Sequence, residues 1–287
     1  MTKAELILNP DGSVYHLNTR PEQVASKIIV VGDPDRVSRV SSHFDRIDER
    51  CQKREFITHT GIYKNQRISV ISTGIGAGNI DIVFNELDAL FNIDLSTGEA
   101  IATLSKLDII RIGTSGAIQP DIEVGSHLIS THGLHLGGLL RSYDGINGNS
   151  RFEDALKAHR RLPIGLADPI LVKGNSDLLN AFISEMDVQG ISVTADGFYG
   201  PQGREIRLKS QLPHFYEDLQ SFDFEGLRLT NLEMETAVIY GLSELLGHRA
   251  ISLNAILANR ENGTFSSNPD QTIDALIEKT LGVITNL

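Results

Sequence analysis

Ile109-Ile110-Arg111-Ile112-Gly113-Thr114-Ser115-Gly116 is a β-branched run that ends in a glycine turn, with one arginine inside the apolar stretch. The same grammar occurs at Val30-Val31-Gly32-Asp33-Pro34-Asp35-Arg36-Val37 and at Thr73-Gly74-Ile75-Gly76-Ala77-Gly78-Asn79, each following a short apolar run, at 28–31 and 68–73. Residues 109–112, 127–131, 191–195 and 252–258 read as further strands. Several are apolar on successive positions, the mark of strands buried on both faces. Between and after them the spacing predicts helices at 79–91, 233–246 and 271–284. Strands alternating with helices give an α/β layer fold with a largely parallel or mixed sheet.

The chain has 287 residues, with 26 Lys and Arg against 37 Asp and Glu, a net charge of −11 that disfavours nucleic acid as a partner. With 40% hydrophobic and 22% charged residues, the composition is that of a globular protein. One cysteine, Cys51, makes no intrachain disulfide, and no Cys/His spacing suggests structural zinc. No signal-like or membrane-spanning run is present, so a cytoplasmic protein with no membrane partner is expected, and Asn262-Gly263-Thr264 is read as a chance glycosylation match. No linker composition interrupts the chain, so one domain over 1–287 is expected, with the polar stretches 142–154 and 210–224 read as surface loops or lids.

Open α/β sheets bind ligands beyond the carboxyl ends of their strands, where these glycine turns fall. Exposed backbone N–H groups there, with Arg36 and Arg111 nearby, suit a phosphate-sized anion, although tight turns alone would read the same way. A dinucleotide fingerprint beginning at Gly74 fails at Asn79, no triphosphate-binding loop is present, and Gly113-Thr114-Ser115-Gly116 is one residue short of a nucleophile elbow. Asn231-Leu232-Glu233-Met234-Glu235-Thr236 reads as a helix start with Asn231 as N-cap. Its acids either complement the helix dipole or accept hydrogen bonds from vicinal sugar hydroxyls. In Asp196-Gly197-Phe198-Tyr199-Gly200-Pro201-Gln202-Gly203-Arg204, an amide and a guanidinium two residues apart suit a flat heterocycle that Phe198 could stack on. A plain surface hairpin is the alternative. His132 and His135 are read as loop histidines and no metal site is expected.

Arg-Ile-Gly-Thr-Ser-Gly-Ala-Ile-Gln-Pro at 111–120 and Glu-Met-Glu at 233–235, with matches in order from His16 to Arg260, resemble the superfamily of uridine and bacterial-type purine nucleoside phosphorylases, most closely its uridine phosphorylase branch. The resemblance implies a three-layer α/β/α sandwich with a central mixed, twisted sheet. It implies that Gly32, Arg36, Arg111 and Thr114 hold inorganic phosphate, that Met234 and Glu235 hold ribose, and that Phe198, Gln202 and Arg204 hold uracil, with Arg204, Gln202 and Glu235 as the catalytic group. Arg54 and His16 match residues that a neighbouring subunit supplies to phosphate and to the ribose 5′-hydroxyl. Asn259-Arg260 stands where purine enzymes carry Ser-Asp, which favours uridine over a purine or broad-specificity alternative. The implied reaction is reversible phosphorolysis of uridine to uracil and ribose 1-phosphate, with phosphate as co-substrate and no cofactor. Glu55 and the Ile75 carbonyl match two ligands of an inter-subunit potassium ion, but Asn79 replaces the usual serine, which counts against the ion. A homo-oligomer built on dimers, either dimer or hexamer, is implied, with extra residues at 94–102 and 146–161 placed where subunit contacts could differ.

Overall fold

The computed structural model describes residues 4–160 and 168–287. The first half runs β1 (Lys27–Val31), α1 (Asp35–Ser41), β2 (Arg46–Lys53), β3 (Phe56–Tyr63), β4 (Gln66–Ser72), α2 (Ala77–Asn92), β5 (Ile93–Asp94), β6 (Glu99–Ala100), β7 (Asp108–Ala117) and β8 (His127–His135). The second runs α3 (Ser150–His159), β9 (Ile170–Lys173), α4 (Ser176–Phe182), β10 (Val188–Thr194), α5 (Phe215–Ser221), β11 (Asp223–Phe224), β12 (Leu227–Glu233), α6 (Thr236–Leu246), β13 (Arg249–Asn259), β14 (Thr264–Phe265) and α7 (Pro269–Ile284).

Among the described residues twelve strands form one mixed sheet in the order β11-β12-β10-β8-β13-β7-β1-β4-β3-β2, with β14 on β13 and β9 on β8. The apolar runs lie at its centre, where β1 pairs in parallel with both β4 and β7, and β7 in parallel with β13. Ile28, Ile29, Val30 and Val31 are all buried, as expected for strands covered on both faces. Helices α2 and α6 pack on each other, α6 lies on β8, β10 and β13, and α7 lies on β13 and β7, completing the α/β/α layering. The sheet also closes on itself: β12 pairs antiparallel with β7 at Asn231–Ala117 and Leu232–Gly116, so β7-β13-β8-β10-β12 form a ring. This closure brings the end of β12 beside the end of β7.

Several expectations need correction. The helix expected from Glu233 begins at Thr236, because residues through Glu233 complete β12. Asn231 is therefore a buried strand residue whose amide donates to Ser115 Oγ at 2.9 Å. The helix start is instead held by Glu233, whose Oε2 accepts the backbone N–H groups of Glu235 (2.9 Å) and Thr236 (2.8 Å). The stretches 142–154 and 210–224 are not simply loops: they carry the start of α3 and all of α5, whose Phe152, Leu156, Phe215 and Leu219 share one buried cluster. His132 and His135 lie on β8 and not in a loop, and His135 is fully buried. Of the extra segments, 94–102 contains the end of the β5–β6 hairpin, and 146–161 contains α3, with Arg161 outside the described residues.

A buried arginine decides the shape of the sheet's ligand end. Arg111 and Gly113 share one face of β7, opposite Ser252 and Asn254 of β13. The Arg111 side chain lies across Gly113, and Nη1 donates to Asn254 Oδ1 (3.0 Å) and Ser252 Oγ (3.3 Å). A Cβ on Gly113 would sit 2.0 Å from Nη1, so only glycine leaves room for the guanidinium. At Gly116, by contrast, a Cβ would meet nothing closer than 3.9 Å. In chemical denaturation Gly113→Ala should lose roughly 3 kcal/mol, the scale of disrupting a buried ion pair, and Gly116→Ala about 1 kcal/mol or less. Equal, small losses in the two variants would contradict this packing.

Candidate active site

The carboxyl ends of β1, β4, β7, β12 and β13 surround a cavity of about 810 Å³. Gly32, Arg36, Arg111, Thr114, Phe198, Gln202, Arg204, Met234 and Glu235, nine of the residues singled out from sequence, line it together. His16 and Arg54 do not.

The cavity's charge is uneven. Arg111 Nη2 lies 2.6 Å from Glu235 Oε2 and 3.4 Å from Glu233 Oε2, and all three side chains are buried. Burial by itself would lower the Arg111 pKa, but the two carboxylates outweigh it and hold the guanidinium above its ordinary value. Glu235 is pushed above the ordinary glutamate range, chiefly by burial and further by Glu233, against the pull of Arg111 and of the Gly76 N–H that donates to Oε1 at 2.7 Å. Gly76, with φ +95°, supplies that N–H from a backbone conformation that side-chain-bearing residues rarely adopt.

Arg36 has no such partners. It is 8% exposed, Nη1 donates to the Ile112 carbonyl at 3.2 Å, and Nε is buried without a hydrogen bond among the described residues. No carboxylate among the described residues lies within 4 Å of its guanidinium. Burial, with Arg111 and Arg39 adding repulsion, outweighs the pull of the Asp33 carboxylate and holds its pKa below the usual arginine value. A buried guanidinium lining a cavity, with no carboxylate within 4 Å among the described residues, is costly to keep charged.

Across the cavity, the segment read either as a heterocycle reader or as a plain hairpin contains a short 3-10 turn at Gly200–Gln202. The Arg204 guanidinium lies 3.9 Å from the Phe198 ring centroid, and its Nη1 donates to the Phe198 carbonyl at 2.7 Å and to Gln202 Oε1. Gln202 is buried, and Arg260 donates to its carbonyl at 2.7 Å while stacking over Tyr216 at 4.8 Å. Sequence reasoning valued Arg260 only as the residue replacing a purine-enzyme acid. Its role as a brace for the 196–204 loop has no local signal, because the bond spans 58 residues.

Other lining residues were also missed: Ser115, Leu257, Ala258 and the exposed Phe265 of β14. Ser115 and Ala258 follow from the β7–β13 register once the strands are placed, whereas nothing in the sequence marks Phe265. Glu55 and Asn79 line the cavity too, and the Asn79 amide donates to Glu55 Oε1 at 3.3 Å. An N–H therefore faces the carboxylate where a cation site would present another oxygen, so these residues do not fit a potassium ion. Among the described residues no three His, Cys, Asp or Glu side chains converge in a metal-binding group.

His16 and Arg54 do not line the cavity, although Glu55, next to Arg54, does. Arg54 is exposed at the β2–β3 turn with φ +55°, next to Glu55. His16 packs edge-on to Phe56, and Nδ1 lies 2.7 Å from Glu86 Oε1, while the Glu86 carboxylate also accepts the backbone N–H groups of His16 and Leu17. Glu86, on α2, fixes the imidazole from 70 residues away and was not singled out from sequence.

A profile of the phosphorylase superfamily matches residues 26–286. The uridine phosphorylase of Thermococcus kodakarensis is 33% identical over 91% of this chain and 83% of its own length. A purine nucleoside phosphorylase of the DeoD type from Colwellia psychrerythraea is 26% identical over 93% and 97%. The structure of a Trypanosoma brucei nucleoside phosphorylase described as showing uridine phosphorylase activity superposes with a TM-score of 0.88, at 26% identity, over 98% of this chain and all of that one. With a superfamily profile covering nearly its whole length, and a cavity lined by buried arginines and a buried carboxylate, the chain belongs to the phosphorylase superfamily.

Proposed function

We propose that this protein is a uridine phosphorylase that cleaves uridine with inorganic phosphate to give uracil and ribose 1-phosphate, reversibly. The observation that carries the reading is the Arg36 guanidinium, buried at the cavity wall with no carboxylate within 4 Å among the described residues, 75 residues upstream of an Arg111 that is already matched to carboxylates. A hydrolase using water would have no use for that charge. Phosphate on Arg36, with Gly32, Thr114 and Arg111 around it, places an anionic oxygen on one side of the cavity. Glu235 and Met234 hold the ribose, the carboxylate accepting from the 2′ and 3′ hydroxyls, and Gln202, Arg204 and Phe198 take the base.

In this arrangement a phosphate oxygen forms a bond to C1′ as the C1′–N1 bond breaks and its electron pair leaves with uracil. Positive charge develops on the ribosyl ring beside the phosphate, and negative charge on the base beside Arg204 and Gln202. Catalysis then comes from placement and from charges fixed in advance, with no covalent intermediate on the protein. Arg204 is already oriented by Phe198 and Gln202, so little reorganisation accompanies the departure of the base.

Arg260 supports uridine over a purine. It stands where a purine enzyme needs an acid, and it is committed to the Gln202 carbonyl and the Tyr216 ring. His16 and Arg54, off the cavity in their own chain, fit the proposal that a neighbouring subunit supplies them in a dimer or a hexamer of dimers. The Asn79 amide on Glu55 supports an assembly that needs no potassium. Among the described residues no helix is long and apolar enough to cross a membrane, which suits the proposed cytoplasmic setting.

Incubation with uridine, thymidine, inosine and adenosine, each with and without phosphate, should give phosphate-dependent release of uracil. Release of hypoxanthine without uracil would overturn the assignment. Arg204→Ala should lower kcat about a hundredfold or more, as for loss of one transition-state donor, with the KM for phosphate little changed. Matching losses in both would contradict the division between base and phosphate sites.

Glu235 sets the acid limb. Its carboxylate is the form that accepts two hydroxyl hydrogen bonds, and it is lost as pH falls through a pKa raised by burial. The KM for uridine should therefore begin to climb at a pH above about 4.3, the ordinary glutamate value. An acid limb in the KM profile at or below that value, or one that persists unchanged in Glu235→Gln, would sink this role.

A further inference from the structure

A second cavity, of about 740 Å³, adjoins the first across the 196–204 loop. Phe198 and Gln202 face the first cavity, Tyr199, Gly200 and Pro201 face the second, and Arg204 lines both. The second cavity is lined by Leu136, Ala195 and Asp196, just past the ends of β8 and β10, and by Leu212 and Phe215. Ile206 and Leu208 line it while remaining 82% and 76% exposed, large apolar side chains kept in water.

The charge of this lining opposes that of the protein. Arg160, Arg204, Arg207 and Lys209 stand against the single carboxylate of Asp196, in a chain whose net charge is −11. Asp196 is engaged elsewhere, by His135 Nε2 at 3.3 Å and by the backbone of Gly138. Lys209 pairs with Glu205 at 3.0 Å. Arg160 and Arg207 have no carboxylate within 4 Å among the described residues, and Arg160 Nε is buried with no hydrogen-bond partner among them. Burial pushes the Arg160 pKa down to about 10, against the opposing pull of Asp218 and Asp168.

A guanidinium partly withdrawn from water, with no carboxylate within 4 Å among the described residues, is costly, and an anion placed on it recovers part of that cost. Phosphate alone would leave Ile206, Leu208, Leu212 and Phe215 as they are, whereas a hydrocarbon body would cover them. We propose that the second cavity is a binding site for a small organic monoanion with an apolar body, of the aromatic carboxylate class, its carboxylate on Arg160 and Arg207 and its hydrocarbon against the residues of 206–215. The site is separate from the one that takes the nucleoside and stands whether or not uridine is the substrate.

The chain contains no tryptophan, so binding of 2-naphthoate can be followed by the ligand's own fluorescence. The titration is run on the whole protein with saturating uridine and no phosphate, so that the first cavity is filled and no turnover occurs. Naphthoate should bind under these conditions. Its affinity should fall roughly tenfold in Arg160→Gln and in Leu208→Asp, and the uncharged 2-naphthalenemethanol should bind roughly tenfold more weakly, the scale of one charge-assisted hydrogen bond. Absence of binding, equal binding of the alcohol, or affinity unchanged in both variants would overturn the proposal. So would a light-scattering mass showing that Leu208→Asp splits the assembly, since a second copy would then fill the cavity. A protein that binds naphthoate as described yet leaves uridine intact would sink the functional reading and leave this site standing.

Discussion

A guanidinium bonded to two carboxylates out of reach of water is the constraint on which the rest of the site depends. Each charge taken into the interior costs several kcal/mol unless it is matched, so a cluster of four buried charges fixes its geometry closely. Arg111 takes both carboxylates, Glu235 at 2.6 Å and Glu233 at 3.4 Å, and ties them to β13 through Asn254 and Ser252. That arrangement demands glycine at 113, holds β7 beside the start of α6, and fixes the turn at Gly76 through its N–H on Glu235. Two cations and two carboxylates balance in number, yet the geometry assigns both carboxylates to Arg111. Arg36 is left over, and a positive centre exists inside a protein of net charge −11. Long-range attraction for phosphate is therefore absent, and local attraction must supply it.

The parts of this architecture that were legible in sequence are those where local chemistry and long-range structure agree. Runs such as Ile28–Val31 and Ile109–Ile112 are apolar on both faces because helices cover both, and glycines follow them because backbone must approach a ligand or a side chain closely. Arg36, at the start of α1, and Arg111, inside the apolar run of β7, stood out beside glycines, and Gln202, Arg204 and Glu235 stood out in or next to short turns, where apolar or small residues would otherwise suffice. β2 and β3 escaped because their residues alternate or mix polar and apolar character at the sheet edge, as Arg46-Ile47-Asp48-Glu49-Arg50-Cys51 shows. The start of α6 was misplaced because Glu233 caps the helix from the last position of a strand, which looks in sequence like an acid in a first turn. Glu86 and Arg260 act across 70 and 58 residues, and no local pattern announces such bonds.

The resemblance to known phosphorylases supplied what neither pattern nor a single chain displays. His16, held by Phe56 and Glu86, and Arg54 do not line the cavity, and their proposed work is done in a neighbour's site. Ile75 and Phe265 are 70% and 69% exposed at the cavity's rim, apolar surface that a neighbouring subunit would cover. The proposed enzyme is then one in which the fold builds the phosphate, ribose and base pockets in one chain and leaves the rim to assembly.

The central claim is that Arg36 is a cation waiting for phosphate, and thermal unfolding tests it without turnover. A ligand bound only by the folded state stabilises it by about 2.7 kcal/mol at a hundredfold excess over its dissociation constant. The melting midpoint of the native protein should rise steadily with inorganic phosphate, while Arg36→Gln, relieved of its unpaired charge, should fold normally and show no such rise. An equal rise in both proteins would contradict the account.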